Sequence, residues 1–251
     1  MIKTITSVSH AAIKQVLQLH ESSYRKEQQQ FIAQGFTTYT TLIDQGYKPL
    51  ATYATSNFCT MHPTLAQTQQ VTIVSDHVMK KISTTSTPTG LVAIFGIPMP
   101  KLVKTSQALV LHNIQDPGNL GTLIRTAAAM NIHMIFTIDG CDPFHPKVVQ
   151  ATAGTLGFVG IVPTTWQKFI QEYGALPTCA LVVAGGKQPE ELHLDQAILI
   201  IGNEGQGLPD AIVRDCKLKM TLPMPGKTES LNVAVAGSIA LYLKSIAHKK
   251  L

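Results

Sequence analysis

Three loops in the second half of this 251-residue chain gather Gly, Pro, Asn and charge directly after apolar runs. That is where open parallel sheets place their ligand sites, so the chemistry is expected there. In the first, Asp116-Pro117-Gly118-Asn119-Leu120-Gly121, Asn119 reads as the N-cap of a helix whose buried stripe is Leu120, Leu123, Ile124 and Ala127. Arg125 lies off that stripe, and its helical neighbours Gly121, Thr122, Ala128 and Ala129 offer no acidic partner. A guanidinium so placed suits a phosphate or carboxylate ligand; the alternative is a solvated surface arginine. The second loop, Gly202-Asn203-Glu204-Gly205-Gln206-Gly207-Leu208-Pro209, follows the most apolar run of the chain, Ala197 to Ile201. Its glycines allow a close backbone approach, and Glu204 is a base or acceptor for a ligand, or a carboxylate solvated at a loop tip. The third, Leu222-Pro223-Met224-Pro225-Gly226-Lys227-Thr228, leads through Ser230-Leu231-Asn232 into a helix apolar almost all round. Ser230 and Asn232 read as ordinary helix caps.

Several chemistries are excluded by spacing. Gly226-Lys227-Thr228 lacks the first glycine of a phosphate-binding P-loop, whose place is taken by Thr221, and the flanking prolines remove backbone donors. The second loop is ordered G-x-x-G-x-G, which is not the dinucleotide fingerprint, and G-x-S-x-G does not occur. Cys59, Cys141, Cys179 and Cys216 are widely separated and form no zinc-ligand spacing, so no metal is expected and the thiols read as reduced, buried small hydrophobes. Among the histidines, His145 beside Pro146 and Lys147 is the most site-like, while His133 and His193 read as packing or surface residues.

The elements that must hold these loops alternate strand and helix from end to end, the pattern of α/β folds. In the second half, strands are expected at Ala108–Leu111, Met134–Ile138, Phe158–Val162, Ala180–Ala184, Ala197–Ile201 and Leu218–Leu222, enough for one mostly parallel sheet covered on both faces. In the first half, Ala11–Leu19 and Asp76–Ile82 read as helices and Phe31–Ala33, Leu50–Ala54, Val71–Val74 and Leu91–Phe95 as strands. The prolines of Gly96-Ile97-Pro98-Met99-Pro100-Lys101 mark a linker, giving domains at 1–100 and 101–251. The chain carries 20 Lys and Arg against 15 Asp and Glu, a net +5, which permits a polyanionic partner without requiring one. No stretch is long and apolar enough to span a bilayer, and no secretory signal is visible at Met1-Ile2-Lys3-Thr4, so a cytoplasmic protein is expected.

Taken together, the order and spacing of the three loops resemble the signature motifs of the SpoU/TrmH RNA ribose 2′-O-methyltransferases of the SPOUT superfamily. Asp116 to Gly121 with Arg125 looks like the first motif, Ile201 to Leu208 the second, and Pro223 to Gly226 with Ser230 to Ala236 the third. Pro146 to Gly154 is similar to the family's intermediate segment, with Gln150 and Thr152 where Arg and Ser are commoner. The first hundred residues more loosely resemble the ribosomal-protein-like α/β/α substrate-binding domain of many members, through Arg25-Lys26, Phe31 to Gly35 and Thr87 to Gly90, with Gln34 where Glu is usual.

The resemblance implies a six-stranded sheet closed by a deep trefoil knot, with S-adenosylmethionine held in it by Gly202, Gly207, Leu222 and Leu231, and with Glu204 and Met224 nearby. It implies that Arg125, Asn119, Glu204, Ser230 and Asn232 act on the ribose, Arg125 fixing the phosphate or ribose and aiding deprotonation. It further implies a homodimer packed through the knot region and RNA as partner, with ribosomal RNA favoured and transfer RNA the alternative. Lys14, Arg25, Lys26, Lys48, Lys80 and Lys81 would hold its phosphates. The competing readings are a non-catalytic RNA-binding protein of the same fold and, more distantly, a nucleotide hydrolase.

Overall fold

The computed structural model describes residues 4–247, apart from 69, 86 and 229, with the backbone alone for 66–68. The chain begins β1 (Thr4–Ile5), α1 (Ala11–Gln18), α2 (Ser22–Gln28), β2 (Gln30–Gln34), α3 (Phe36–Asp44) and β3 (Pro49–Ala54). It continues α4 (Ser56–Met61), α5 (Pro63–Thr68), β4 (Val71–Val74), α6 (Asp76–Ile82) and β5 (Leu91–Gly96). Then follow β6 (Ala108–His112), α7 (Pro117–Ala129), β7 (Met134–Ile138), α8 (Pro146–Ala151), β8 (Gly160–Thr164) and α9 (Trp166–Tyr173). The last elements are β9 (Thr178–Leu181), β10 (Ile198–Ile201), α10 (Asp210–Asp215), β11 (Leu218–Met220) and α11 (Val233–Ala247). Contacts divide these residues into two units, the first running to Pro98 and taking in Phe144–Gly157, the second holding Met99–Pro143 and the chain from Phe158.

The first unit is built on a five-stranded sheet of order β1-β4-β3-β5-β2. Its pairs β1–β4 and β3–β4 are parallel, but β5 runs antiparallel to both β3 and β2. Strand direction is not legible in a buried apolar run, which reads the same either way. Ile13 and Val16 of α1 and Val78, Met79 and Ile82 of α6 pack with Ile32, Val74 and Val92 of the sheet. The polar stretch after Glu21, which carries no apolar stripe, is nevertheless α2, and it explains Arg25. That residue, expected among the phosphate-facing cations, is 1% exposed and donates from Nη1 to the carbonyls of Leu19 and His20, both at 2.8 Å. Burial among backbone acceptors removes it from the surface that RNA could reach. The α8 segment packs on β2 within this unit. There Thr152 is buried, and its Oγ1 donates to the Val149 carbonyl at 2.7 Å.

The second unit contains a six-stranded, all-parallel sheet of order β11-β9-β10-β6-β7-β8. Strand starts and ends move from those expected. The run from Phe158 begins as a 3-10 turn, Thr155–Phe158, and β8 starts only at Gly160; the β9 strand lies two to three residues earlier than expected. All of β10 is buried, as strands covered on both faces must be. On one face Phe169 and Tyr173 of α9 and Ile212 of α10 cover Val110, Phe136 and Ile200. On the other, α7 packs against α11 at Gly237, where a Cβ would stand 2.5 Å from Leu123 Cδ2 and 2.7 Å from Ile201 Cδ1. Cys179 and Cys216 are buried, and burial pushes their thiols up to about 12 and about 11, whereas Cys59 and Cys141 are only half-buried. The α11 helix is not covered all round: Val235, Ile239 and Tyr242 are 47%, 40% and 54% exposed on one stripe. Among the described residues no helix is long and apolar enough to cross a membrane.

Candidate functional site

In the second sheet β6 and β10 are neighbours, yet the chain leaves β6 toward β7 and leaves β10 toward β11 on the opposite edge. Connections that diverge in this way open a crevice beyond the carboxyl ends of the two strands. The loops after β6 and β10 meet there.

At that point Glu204 takes hydrogen bonds from two loops. Its Oε1 accepts from Asn119 Nδ2 at 3.1 Å and from the Asp116 amide at 3.3 Å. Its Oε2 accepts from Asn203 Nδ2 at 3.3 Å and from the Gln115 amide at 3.4 Å. Burial alone would raise its pKa, but the bonds from its own backbone, Asn119, Asp116 and Gln115 outweigh that, and the carboxyl is held below the ordinary 4.5. Asn119 passes the chain onward, its Oδ1 accepting from Asn232 Nδ2 at 3.1 Å. Asn232 in turn caps α11 by accepting from the amides of Ala234 and Val235 at 2.9 and 3.3 Å. Residues from all three loops are thus tied into one line, Glu204–Asn119–Asn232.

Asn119 can do this because it does not cap its helix. The N-cap is Asp116, whose Oδ1 accepts from the Asn119 amide at 2.8 Å, and Pro117 occupies the first helical position. The Asp-Pro pair carries that signature in the sequence, since proline is favoured just inside a helix start. Asn203 is a second residue that sequence reasoning passed over. Its Oδ1 accepts from the amides of Gly205 and Gln206 at 2.9 and 3.0 Å, and its Nδ2 donates to the Asn113 carbonyl at 2.9 Å. An asparagine before Glu-Gly in a glycine-rich loop was the available clue, because such side chains fold turns onto themselves.

Beside this line lies a cavity of about 270 Å³ lined by Gly202, Glu204, Gly207, Leu222, Met224, Ser230 and Leu231, with Leu181 at the end of β9 and Val183 just past it. Every residue expected to contact a cofactor is therefore on its wall. Gly202 is required: a Cβ there would sit 2.5 Å from the carbonyl carbon and oxygen of Gly207 and 2.6 Å from the Leu208 nitrogen. Asn203 and Gly207 exchange backbone bonds at 3.0 Å, closing the loop into a tight turn. Arg125 is not drawn into the line. It is exposed on α7, and no hydrogen bond or ion pair ties it to any described residue. His145 caps α8, accepting the Lys147 amide on Nδ1 at 3.2 Å, and His133 and His193 are exposed. No three His, Cys, Asp or Glu residues gather as a metal site among the described residues.

Comparison with known proteins fits this geometry. Residues 106–242 match the SpoU rRNA Methylase family, and residues 10–93 match the MRM3-like substrate binding domain. The chain is 32% identical to an uncharacterized tRNA/rRNA methyltransferase of Synechocystis, over 96% of this chain and 93% of that protein. It is 31% identical to the 23S rRNA (guanosine(2553)-2′-O)-methyltransferase RlmP of Bacillus subtilis, over 69% of this chain and 71% of that one. Among solved structures, the AdoMet-bound rRNA methyltransferase of Sinorhizobium meliloti superimposes with a TM-score of 0.85 at 27% identity, covering 99% of this chain and 98% of that one. With a family match over more than half its length and relatives aligned nearly end to end, this chain belongs to the SpoU rRNA methylase family.

Proposed function

We propose that this protein is an S-adenosylmethionine-dependent RNA methyltransferase that methylates a ribose 2′-hydroxyl, with ribosomal RNA favoured over transfer RNA. The observation that carries this reading is the cavity walled by Gly202, Glu204, Gly207, Leu222, Met224 and Leu231 directly beside the Glu204–Asn119–Asn232 line. The walls suit the cofactor: leucines and valine for an adenine ring, a glycine turn that brings backbone groups close, and a carboxylate for a hydroxyl or ammonium. Both the B. subtilis relative, named for 2′-O-methylation of 23S rRNA, and the AdoMet-bound S. meliloti protein support it. When bound, S-adenosylmethionine supplies an electrophilic methyl group and its own leaving group.

The remaining work falls to this chain's residues. A ribose hydroxyl is a poor nucleophile and must be positioned and relieved of its proton. Arg125, without a partner in the fold, takes the phosphate next to the target ribose and stabilises the negative charge that develops on the 2′-oxygen. A guanidinium keeps its proton at neutral pH, so its contribution is electrostatic. Ser230 and the fixed amides of Asn119 and Asn232 orient the ribose, and Glu204 holds Asn119 in place. Residues 101–251 then form the catalytic domain, with the family's trefoil knot around the cofactor, and residues 1–100 grip RNA through exposed Lys14, Lys26, Lys48, Lys80 and Lys81. The exposed Val235, Ile239 and Tyr242 stripe of α11 supports a homodimer packed through the knot region. The reaction belongs to the cytoplasm, where bacterial-type ribosomal RNA would be met.

The test is transfer of labelled methyl groups to total RNA by the purified protein, with the product mapped as alkali-resistant linkages. Label at a 2′-oxygen of ribosomal RNA is expected. Absence of transfer, or label on a base, overturns the reading.

A further inference from the structure

The first unit presents an aromatic stack at its surface. Phe36, the first residue of α3, is 40% exposed, and its ring lies on the imidazole of His62 with centroids 4.1 Å apart and an interplanar angle of 25°. His62 also meets the ring of Phe58 at 4.4 Å and 33°, and Phe58, 3% exposed, anchors the stack in the fold. The support is rigid. Thr55 Oγ1 caps α4 by accepting the Phe58 amide at 3.2 Å, and the His62 amide donates to the Phe58 carbonyl at 3.0 Å. Gly90, at φ +81°, lets the chain pass so close that a Cβ would stand 3.1 Å from Phe58 Cβ.

Against Phe58 opens a cavity of about 550 Å³ whose wall includes Asn57, Met61, Asp76, Lys80 and Thr89. Asn57, Met61, Asp76, Lys80 and Thr89 are all exposed. A groove for a partner helix would offer a continuous apolar strip. This cavity, which shares Phe58 with the stack, instead carries an amide, a hydroxyl, a carboxylate and an ammonium. Those are the groups that receive a nucleotide: rings stack on the base, Asn57, Thr89 and Asp76 meet its polar edge, and Lys80 meets its phosphate. The stretch lies within the residues that match a substrate-binding domain.

We propose that the Phe36–His62 stack and the adjoining cavity form a platform for one unpaired base of the RNA substrate. The proposal rests on the RNA reading given above, and it names the surface and the kind of nucleotide that the first unit takes. Duplex RNA keeps its bases stacked on one another, so the platform selects a loop, bulge or single strand.

The test uses the full-length protein with short fluorescent oligoadenylate and oligouridylate. Purines stack more strongly, so the wild-type protein is expected to bind oligoadenylate more tightly, and 2-aminopurine placed in that strand should be quenched on binding. Phe36→Ala is expected to weaken oligoadenylate binding roughly tenfold and to erase the preference over oligouridylate, with the salt dependence unchanged because no phosphate contact is lost. His62→Ala should weaken binding in the same sense, and Phe36→Tyr should restore it. Circular dichroism checks that each variant is folded, and the quenching measurement needs no variant. The proposal is overturned if wild-type protein binds neither strand, if 2-aminopurine stays bright on binding, or if folded Phe36→Ala keeps the purine preference. Methyl transfer to total RNA, measured in parallel, separates the two claims. Transfer with no stacking effect overturns the platform alone, and a stacking effect without transfer overturns the methyltransferase reading alone.

Discussion

Gln34 Nε2 donates to Gln150 Oε1 at 2.8 Å, joining the end of β2 to α8 across 116 positions of sequence. Gln34 is 4% exposed, and its amide is fully used: Nε2 also donates to Thr84 Oγ1, while Oε1 accepts from Ser83 Oγ at 3.0 Å and the Thr84 amide at 3.1 Å. These are two of the three positions, with Thr152, at which the sequence departs from the resemblance, Gln for Glu and Gln for Arg. The two meet in space as a neutral amide pair.

That contact makes the two positions interdependent. Gln34→Glu alone should destabilise the fold by about 1–3 kcal/mol, because it buries a carboxylate and removes both Nε2 donors. Adding Gln150→Arg should recover most of the loss. Urea unfolding of both single variants and the double variant measures the coupling, and additive effects would reject the contact as a pair.

Arg125→Ala should lower methyl transfer to RNA by roughly a hundredfold or more while leaving S-adenosylmethionine affinity unchanged, since Arg125 lies outside the cavity wall. Arg125→Lys should rescue little if the guanidinium binds a phosphate through two nitrogens. Steady-state rates beside calorimetric cofactor affinity check both statements, and wild-type turnover by Arg125→Ala protein would remove Arg125 from the mechanism.

Gly202→Ala places a methyl group 2.5 Å from the Gly207 backbone, so the 203–207 turn must shift. Overpacking of this kind costs about 1–3 kcal/mol, and here the loss should appear in cofactor affinity because the turn is a wall of the cavity. Calorimetry with S-adenosylmethionine reads it directly. Unchanged affinity would place the cofactor elsewhere.

Lys244, 1% exposed near the end of α11, donates from Nζ to the carbonyls of Leu194, Ala197 and Asp195 at 2.8, 2.9 and 3.2 Å. Lys244→Ala should cost about 2–4 kcal/mol, from the cavity and the orphaned carbonyls. Burial lowers its pKa to about 8 from 10.5. Below pH 8 the folded and unfolded chains both carry the proton, and the cost of burying the charge is constant. Between about 8 and 10.5 only the unfolded chain keeps it, so this residue's contribution to stability rises with pH across that window. Denaturation of wild type and variant at the two ends of the window should show the difference in stability between them rising with pH.

The sequence by itself determined the strands of the second sheet and the loops that follow them, but not α2, β1 or the antiparallel course of β5. Apolar runs marked all six strands of the second sheet to within a few residues, most firmly the fully buried β10, because burial on both faces favours an unbroken apolar run. Glycine, proline and asparagine clusters fixed where those strands give way to site loops, because backbone conformation and capping are local properties. What the sequence could not determine were relations between distant side chains. Arg25 reads as a surface cation, yet the tertiary structure buries it against Leu19 and His20. Asn119 reads as a cap, yet Asp116 takes that role and frees its amide to join Glu204 and Asn232. Gln34 and Gln150 read as two unrelated departures, and only folding makes them one contact. Local conformation is encoded within a few residues, whereas a hydrogen bond across a hundred positions exists only once the hydrophobic core has brought its two ends together.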